Sequence, residues 1–293
     1  MIDCRYFEPT TVAEACTLLA EHGSGARVVA GGQRLSLLLR RGELKPSCLV
    51  SVKNAAGLDS ITASKEGTKI GSMVTLQRLE TARSEHPTLR ALSETVADVA
   101  DRQIRNRATL GGNICEAHPA SDITVVLMAL NAAVKLVSTD GERVVQLRDF
   151  VTDAFTTAAQ SGELLTEVII PPFTLPHSGA VYHRFALRAG DYPVVGVGAF
   201  VSVDSTGRCQ EQRIVIGNCL GAPTHATNAE QQLQGCKVVE SDQSLAAAAS
   251  VAVVDITPFS EPMAPGEYKK DLVGVLTKSA LTEAVALAWE ERK

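Results

Sequence analysis

The sequence predicts an α+β protein in two unequal parts. Three observations carry this. Helical and strand periodicities alternate up to Ile170. Pro171-Pro172, followed by Leu175-Pro176-His177-Ser178-Gly179, then breaks the pattern. Beyond the break, a run of strands precedes a run of helices. With 293 residues the chain can form two domains of about 100–200 residues each. The expected division is 1–176 and 177–293, the first part splitting again into about 1–55 and 56–176.

The first element is Thr11 to Leu19, apolar at helical spacing behind Thr10 or Thr11 as cap and ended by His22-Gly23. Ala26 to Ala30 is a short β-rich run leading straight into Gly31-Gly32-Gln33. A short helix is expected from Ser36 to Arg41 and a strand from Cys48 to Val52. Residues 60–75 read as strand–turn–strand about Lys65-Glu66-Gly67. Gln77 to Ala82 and Thr88 to Ala100 read as helices separated at Pro87, with a polar link from Asp101 to Asn106. Residues 122–131 read as an apolar helix; Ala133 to Ser138, Val144 to Leu147 and Glu167 to Ile170 read as strands. In the second part Val181 to Leu187, Val194 to Val203 and Gln212 to Gly217 form a strand meander. Leu245 to Val254, the run from Tyr268 through Leu276, and Lys278 to Glu291 are helical.

Composition narrows the function. A net charge of −5 gives no general attraction to nucleic acid, and the arginines around 103–107 are a local cluster. No uninterrupted apolar stretch reaches the roughly 20 residues of a membrane span. Asp3, Arg5 and Glu8 deny the N-terminus the apolar core of a secretory signal, so a cytoplasmic location is expected. The seven cysteines are odd in number, scattered, and without a Cys-x-x-Cys pair, which fits neither a disulfide framework nor an iron–sulfur site. Cys115 and His118 are too few ligands for a structural zinc site. Aromatic residues are only 4%, so a planar cofactor has to be held mainly by backbone and aliphatic groups.

Two glycine pairs, Gly31-Gly32 and Gly111-Gly112, stand out. Such turns bring backbone amides close to a ligand and can cradle a phosphate. Neither pair matches Gly-x-Gly-x-x-Gly or the Gly-x-x-x-x-Gly-Lys-Ser/Thr loop, and taken singly a glycine pair is more often structural. The residues alone leave a phosphate site and a plain turn both open.

The residues around the glycines resemble those of a known family. Val29-Ala30-Gly31-Gly32-Gln33-Arg34-Leu35 resembles the first flavin loop of the FAD-binding medium subunits of molybdenum hydroxylases, the xanthine dehydrogenase and carbon-monoxide dehydrogenase family. Arg105 to Ile114, with Pro119-Ala120-Ser121-Asp122 behind it, resembles the second loop. Ile70 to Thr75 and Arg184 to Tyr192 resemble two further blocks, and the four stand in the family's order. The resemblance implies a two-part PCMH-type (vanillyl-alcohol-oxidase-like) FAD-binding region, then a smaller α+β domain of the CO-dehydrogenase flavoprotein type.

It also implies roles. Ala30, Gly31, Gly32, Gln33, Arg34 and Leu35 of the first loop, and Thr109, Gly111, Gly112 and Asn113 of the second, would bind FAD about its phosphates and ribityl chain. Arg34 would pair with a phosphate or point to solvent, since the family often has Ser or His after the glycines. Asp122 would contact the adenosine portion; its plainer reading is a helix N-cap. Leu165 would face the adenine or ring region, or be ordinary core. Arg184 falls where xanthine dehydrogenases carry a lysine near the flavin, and would stabilise negative charge on the reduced ring or lie at the surface. Tyr192 would lie against the isoalloxazine or pack at a domain seam.

The function so implied is electron transfer. FAD, held noncovalently, would take electrons from [2Fe–2S] clusters on a small partner subunit while a large partner subunit carries molybdopterin, in a dimer of heterotrimers. No catalytic residue and no metal site are expected on this chain. A stand-alone flavin oxidoreductase and an FAD-free scaffold are the alternative readings.

Overall fold

The computed structural model describes residues 4–82, 89–173, 177–238, 242–254, 256–262 and 264–290. The chain opens on a parallel sheet of order β1-β3-β2, made of β1 (Arg5–Phe7), β2 (Ala26–Val29) and β3 (Cys48–Ser51). Parallel neighbours need crossovers, supplied by α1 (Val12–His22) and α2 (Gln33–Arg40). A full capping box starts α1: Glu14 N–H donates to the Thr11 hydroxyl at 3.1 Å, and the Glu14 carboxylate accepts from Thr11 N–H at 3.3 Å. The helix buries Ala15, Cys16 and Leu19 in a small core with Val50.

A five-stranded antiparallel sheet follows, ordered β4 (Ile61–Ser64), β5 (Gly67–Gly71), β10 (Leu164–Ile170), β6 (Ala133–Ser138), β7 (Gly141–Gln146). Between β5 and β6 the chain forms α3 (Leu76–Thr81), α4 (Arg90–Ala97), α5 (Arg102–Arg105), α6 (Leu110–Glu116) and α7 (Asp122–Ala129). A short α8 (Leu147–Phe150) and the hairpin β8 (Val151–Asp153)–β9 (Thr156–Thr157) complete this part.

The last part is an antiparallel sheet of β11 (Ser178–Phe185), β12 (Val195–Val203), β13 (Cys209–Gly217) and β14 (Thr224–His225), with α9 (Thr227–Leu233), α10 (Asp242–Val251) and α11 (Gly266–Glu290). All nine positions of β12 are buried, because α7 packs against this sheet as well as α11. Helix α7 is itself buried at all eight positions, as an apolar helix enclosed on every side must be. It joins the two parts.

The structure corrects several expectations. The link from Asp101 to Asn106 contains α5, capped by the Asp101 carboxylate, which accepts from Ile104 N–H at 2.8 Å. Gly111-Gly112 is no open turn but the first turn of α6. The two runs either side of Thr277 form one helix, α11, over the described residues to Glu290, with Thr277 buried in its interior. By length and composition α11 could cross a membrane; here it buries Val273, Leu281 and Ala284 in the last core. The expected helix 88–100 is shorter, at Arg90–Ala97. Pro87 and Leu175-Pro176 lie outside the described residues.

Candidate functional site

Gly31 and Gly32 follow β2 and start α2, and the two do different work. A Cβ on Gly31 would stand 2.0 Å from the Arg107 carbonyl oxygen, so this glycine lets the first loop touch the second. Gly32 is the N-cap of α2 at φ +71°, and a Cβ there would meet nothing nearer than Val29 at 3.9 Å. No side chain caps α2. The first-turn amides of Gln33, Arg34 and Leu35 precede the first intrahelical bond, from Ser36 N–H to Gly32. Among the described residues no protein acceptor meets them. Uncapped amides and the helix dipole together favour an anion.

The second loop is built differently. Its amides are spent within the protein: Leu110 N–H on Val74 O, Gly111 N–H on Ser72 O (both 2.9 Å), and Gly112 N–H on the Thr109 hydroxyl at 3.2 Å. Thr109 is buried and caps α6. Gly111 is a packing glycine, its Cβ position 2.6 Å from Ser72 Cβ. Gly112 is exposed and faces Ala30, so the N-termini of α6 and α2 lie side by side. Asn113 presents an amide whose Oδ1 accepts from the Ser121 hydroxyl at 2.7 Å; its Nδ2 has no protein acceptor among the described residues. The first loop thus offers backbone donors and the second offers Asn113.

Arg34 neither points free to solvent nor stands alone. Its Nε donates to Glu116 at 2.9 Å, and its guanidinium lies 5.9 Å from the Phe155 ring. Burial pushes the Glu116 carboxyl above its ordinary value, with Arg34 pulling the other way. Two residues on, His118 stacks flat on Tyr192, centroids 4.0 Å apart and planes 2° from parallel. The edge of Phe155 closes the cluster at 5.2 Å. Desolvation, then Arg34, lowers the His118 pKa to about 4, so the ring is neutral at pH 7 and its Nδ1 accepts from Ala120 N–H at 3.1 Å.

Asp122 lies in the first turn of α7, but Ser121 is the N-cap, which corrects the capping reading. Its carboxylate is buried and shared: Oδ1 accepts from the Tyr182 hydroxyl at 2.5 Å, Oδ2 from Arg184 at 3.1 Å. Burial raises its pKa to about 6, against the opposing pull of Arg184 and then Tyr182. Arg184 is only 11% exposed, so it is no surface arginine; it also donates to the carbonyls of Asp98 and Asp191. This network stitches α4, α7 and β11 to the loop that carries Tyr192. Leu165 stands apart, its side chain buried in the main core with Ile70 and Ile114.

Sequence reasoning missed Glu116, Phe155, Tyr182 and the stacking role of His118. Tyr182 is within reach of the sequence, since residues two apart on a strand share a face and Arg184 falls in one of the family blocks. Phe155 carried no signal; it sits at φ +56° after the β8 strand.

Two family models cover most of the chain: an FAD binding domain in molybdopterin dehydrogenase over residues 2–173, and a CO dehydrogenase flavoprotein C-terminal domain over 180–284. A 6-hydroxypseudooxynicotine dehydrogenase complex subunit alpha from Paenarthrobacter nicotinovorans is 34% identical over 281 residues, covering 96% of this chain and 94% of the relative. The carbon monoxide dehydrogenase medium chain of Afipia carboxidovorans is 31% identical, with 97% of each covered. Among solved structures, a chain of quinoline 2-oxidoreductase from Pseudomonas putida 86 superposes with a TM-score of 0.89 at 30% identity, covering 97% of each chain.

Proposed function

The chain belongs to the FAD-binding medium-subunit family of the molybdenum hydroxylases, and from that premise we propose that it is the electron-transfer subunit of such an enzyme. In this reading FAD, bound noncovalently, takes electrons from [2Fe–2S] clusters on a small subunit and yields them to an external acceptor. A large molybdopterin subunit oxidises the substrate, the assembly is a dimer of heterotrimers, and it works in the cytoplasm. The flavin-binding part is residues 1–176 and the C-terminal part 177–293.

The observation that carries the reading is the uncapped N-terminus of α2 beside the α6 start, an anion cradle formed where the two glycine pairs meet. FAD fits this donor set: Gln33, Arg34 and Leu35 offer backbone amides, Asn113 a side-chain amide, and Gly32 leaves open space beside them, with Ala30 and Gly112 alongside. When bound, FAD supplies the redox chemistry, accepting two electrons and releasing them singly or as a pair. The chain's own residues do the rest. Arg34, held by Glu116, places a cation beside the phosphate cradle, while Arg184 is kept from solvent by Asp122 and positions a second. Tyr192 supplies an aromatic face, and Asp122 stands on the adenosine side. Leu165, apart from these in the main core, contributes packing alone.

The test is an absorption spectrum of the purified chain, alone and with added FAD, before and after Gly32→Val. A flavin spectrum in the parent that the variant loses is the expected result. A parent that takes up no flavin at all would leave the scaffold reading in its place.

A further inference from the structure

Behind the aromatic stack lies a residue that no site motif singles out. Asn218 directly follows β13, is buried, and adopts φ +60°, a left-handed conformation that asparagine tolerates better than other residues with a side chain. Three of its polar groups run to three different places. The backbone N–H donates to Pro119 O at 3.0 Å. The side-chain Nδ2 donates to Pro193 O at 2.7 Å and Val194 O at 3.2 Å. The backbone carbonyl accepts from Lys269 Nζ at 2.8 Å.

Pro119 follows His118 and Pro193 follows Tyr192, so one asparagine holds the carbonyl next to each of the two stacked rings. Lys269 in turn is completely buried. Its ammonium pairs with Glu261 at 2.7 Å and lies 3.8 Å from the Phe259 ring centroid, while Phe259 N–H donates to Cys219 O at 3.1 Å. A buried ammonium is costly unless paired and fully hydrogen-bonded. Here carboxylate, carbonyl and ring meet it, and the carbonyl it holds belongs to Asn218.

We propose that Asn218, anchored by Lys269, is the positioning residue for the His118–Tyr192 stack, setting from the C-terminal sheet the aromatic face that borders the cofactor site. That this face borders the cofactor rests on the function proposed above; the clamp itself does not. The His118 ring is also held by Ala120 N–H, whereas Tyr192 is 58% exposed and takes its orientation from its loop. The clamp ties both ring-bearing loops to a single point.

The experiment uses the full chain with Asn218→Gly, Lys269→Met and Lys269→Arg, following the histidine resonances by NMR over pH, with His118→Gln to assign the His118 signal. Glycine accepts φ +60° freely, so N218G keeps the backbone bonds to Pro119 and from Lys269 and deletes the side-chain amide that holds Pro193 and Val194. In the parent His118 titrates at about 4; in N218G, which leaves every charge in place, it moves toward its ordinary 6.5 as the stack opens to water, and in K269M it moves too, helped there by Glu261, which raises His118 and has lost its cation. K269R, which keeps the cation, stays closer to the parent. With FAD bound, flavin fluorescence quenched by the stacked tyrosine rises in N218G. If the folded N218G chain keeps His118 at about 4, the clamp is overturned. If His118 moves while the bound flavin's spectrum and fluorescence stay unchanged, the clamp stands and the placement of the stack beside the cofactor falls.

Discussion

Alanine at Gly31 and at Gly32 separates what the first loop does for the fold from what it does for the ligand. At Gly31 the new Cβ would lie 2.0 Å from the Arg107 oxygen and 3.0 Å from Ala108 Cα, where ordinary contact begins near 3.4 Å. The obstacle is backbone held in place: Ala108 N–H donates to Ile104 O at 2.8 Å, and Ala108 O accepts from Leu76 N–H at 2.9 Å. Relief therefore requires the two loops to part by about 1 Å or more, an overpacking cost of about 3 kcal/mol. At about 2–4 °C per kcal/mol this lowers Tm by about 6–12 °C. At Gly32 the Cβ finds open space, and the cost is only that of φ +71°, about 1–2 kcal/mol. Thermal melts and flavin-to-protein ratios measured on both variants give the contrast: G31A melts far earlier, whereas G32A melts only slightly earlier and loses flavin through its methyl group. A G31A chain as stable as the parent would refute the loop-contact argument. A Gly32 variant that keeps all its flavin would refute the cradle.

Two further perturbations address the seam beneath Tyr192. With its folded pKa raised to about 6 from 3.8, Asp122 contributes stability that is fully present below pH 3.8 and is lost as pH rises through about 6. That is about 3 kcal/mol at about 1.4 kcal/mol per pH unit; denaturant melts should show the fall in the parent and a flatter profile between pH 4 and 6 in Asp122→Asn. Tyr182→Phe removes a 2.5 Å donor to a buried carboxylate, costs about 1.5–3 kcal/mol, and pushes the Asp122 transition to still higher pH. An unchanged melt and an unchanged transition in that variant would count against the network.

Much of the fold was legible because local pattern and tertiary burial agree. Val12 to His22 and the β6 strand follow their periodicities closely. Where they part, the reason is specific. Strand β1 is three residues, Arg-Tyr-Phe, held by parallel pairing to Cys48, Leu49 and Val50, and shows no alternation of its own. Helix α6 carries, after Leu110, two glycines that disfavour a helix by about 1 kcal/mol each, outweighed by the Thr109 cap and the contact with Ser72.

The sequence marks out the glycine pairs and the residues around them, but not how the work divides among them. Whether a glycine makes room for a ligand or for the protein's own backbone depends on what lies opposite, and nothing near Gly31 in sequence announces Arg107. Lys269, in Tyr268-Lys269-Lys270-Asp271, is read only as the start of a helical run, and nothing beside it marks it as buried. Its burial follows only from how α11 meets the chain around Asn218.

Because α7 shares its surroundings between the two parts, the chain has no clean place to be cut. Removing everything after the Pro171-Pro172 link would bare Val125 and Ala129, which pack at β12 and β13, and would leave the Asp122 carboxylate without its tyrosine and its arginine. Each part is thus a structural ligand of the other. A chimaera that joins this first half to a relative's second half has to bring a matching partner for one helix, whatever happens at the surface.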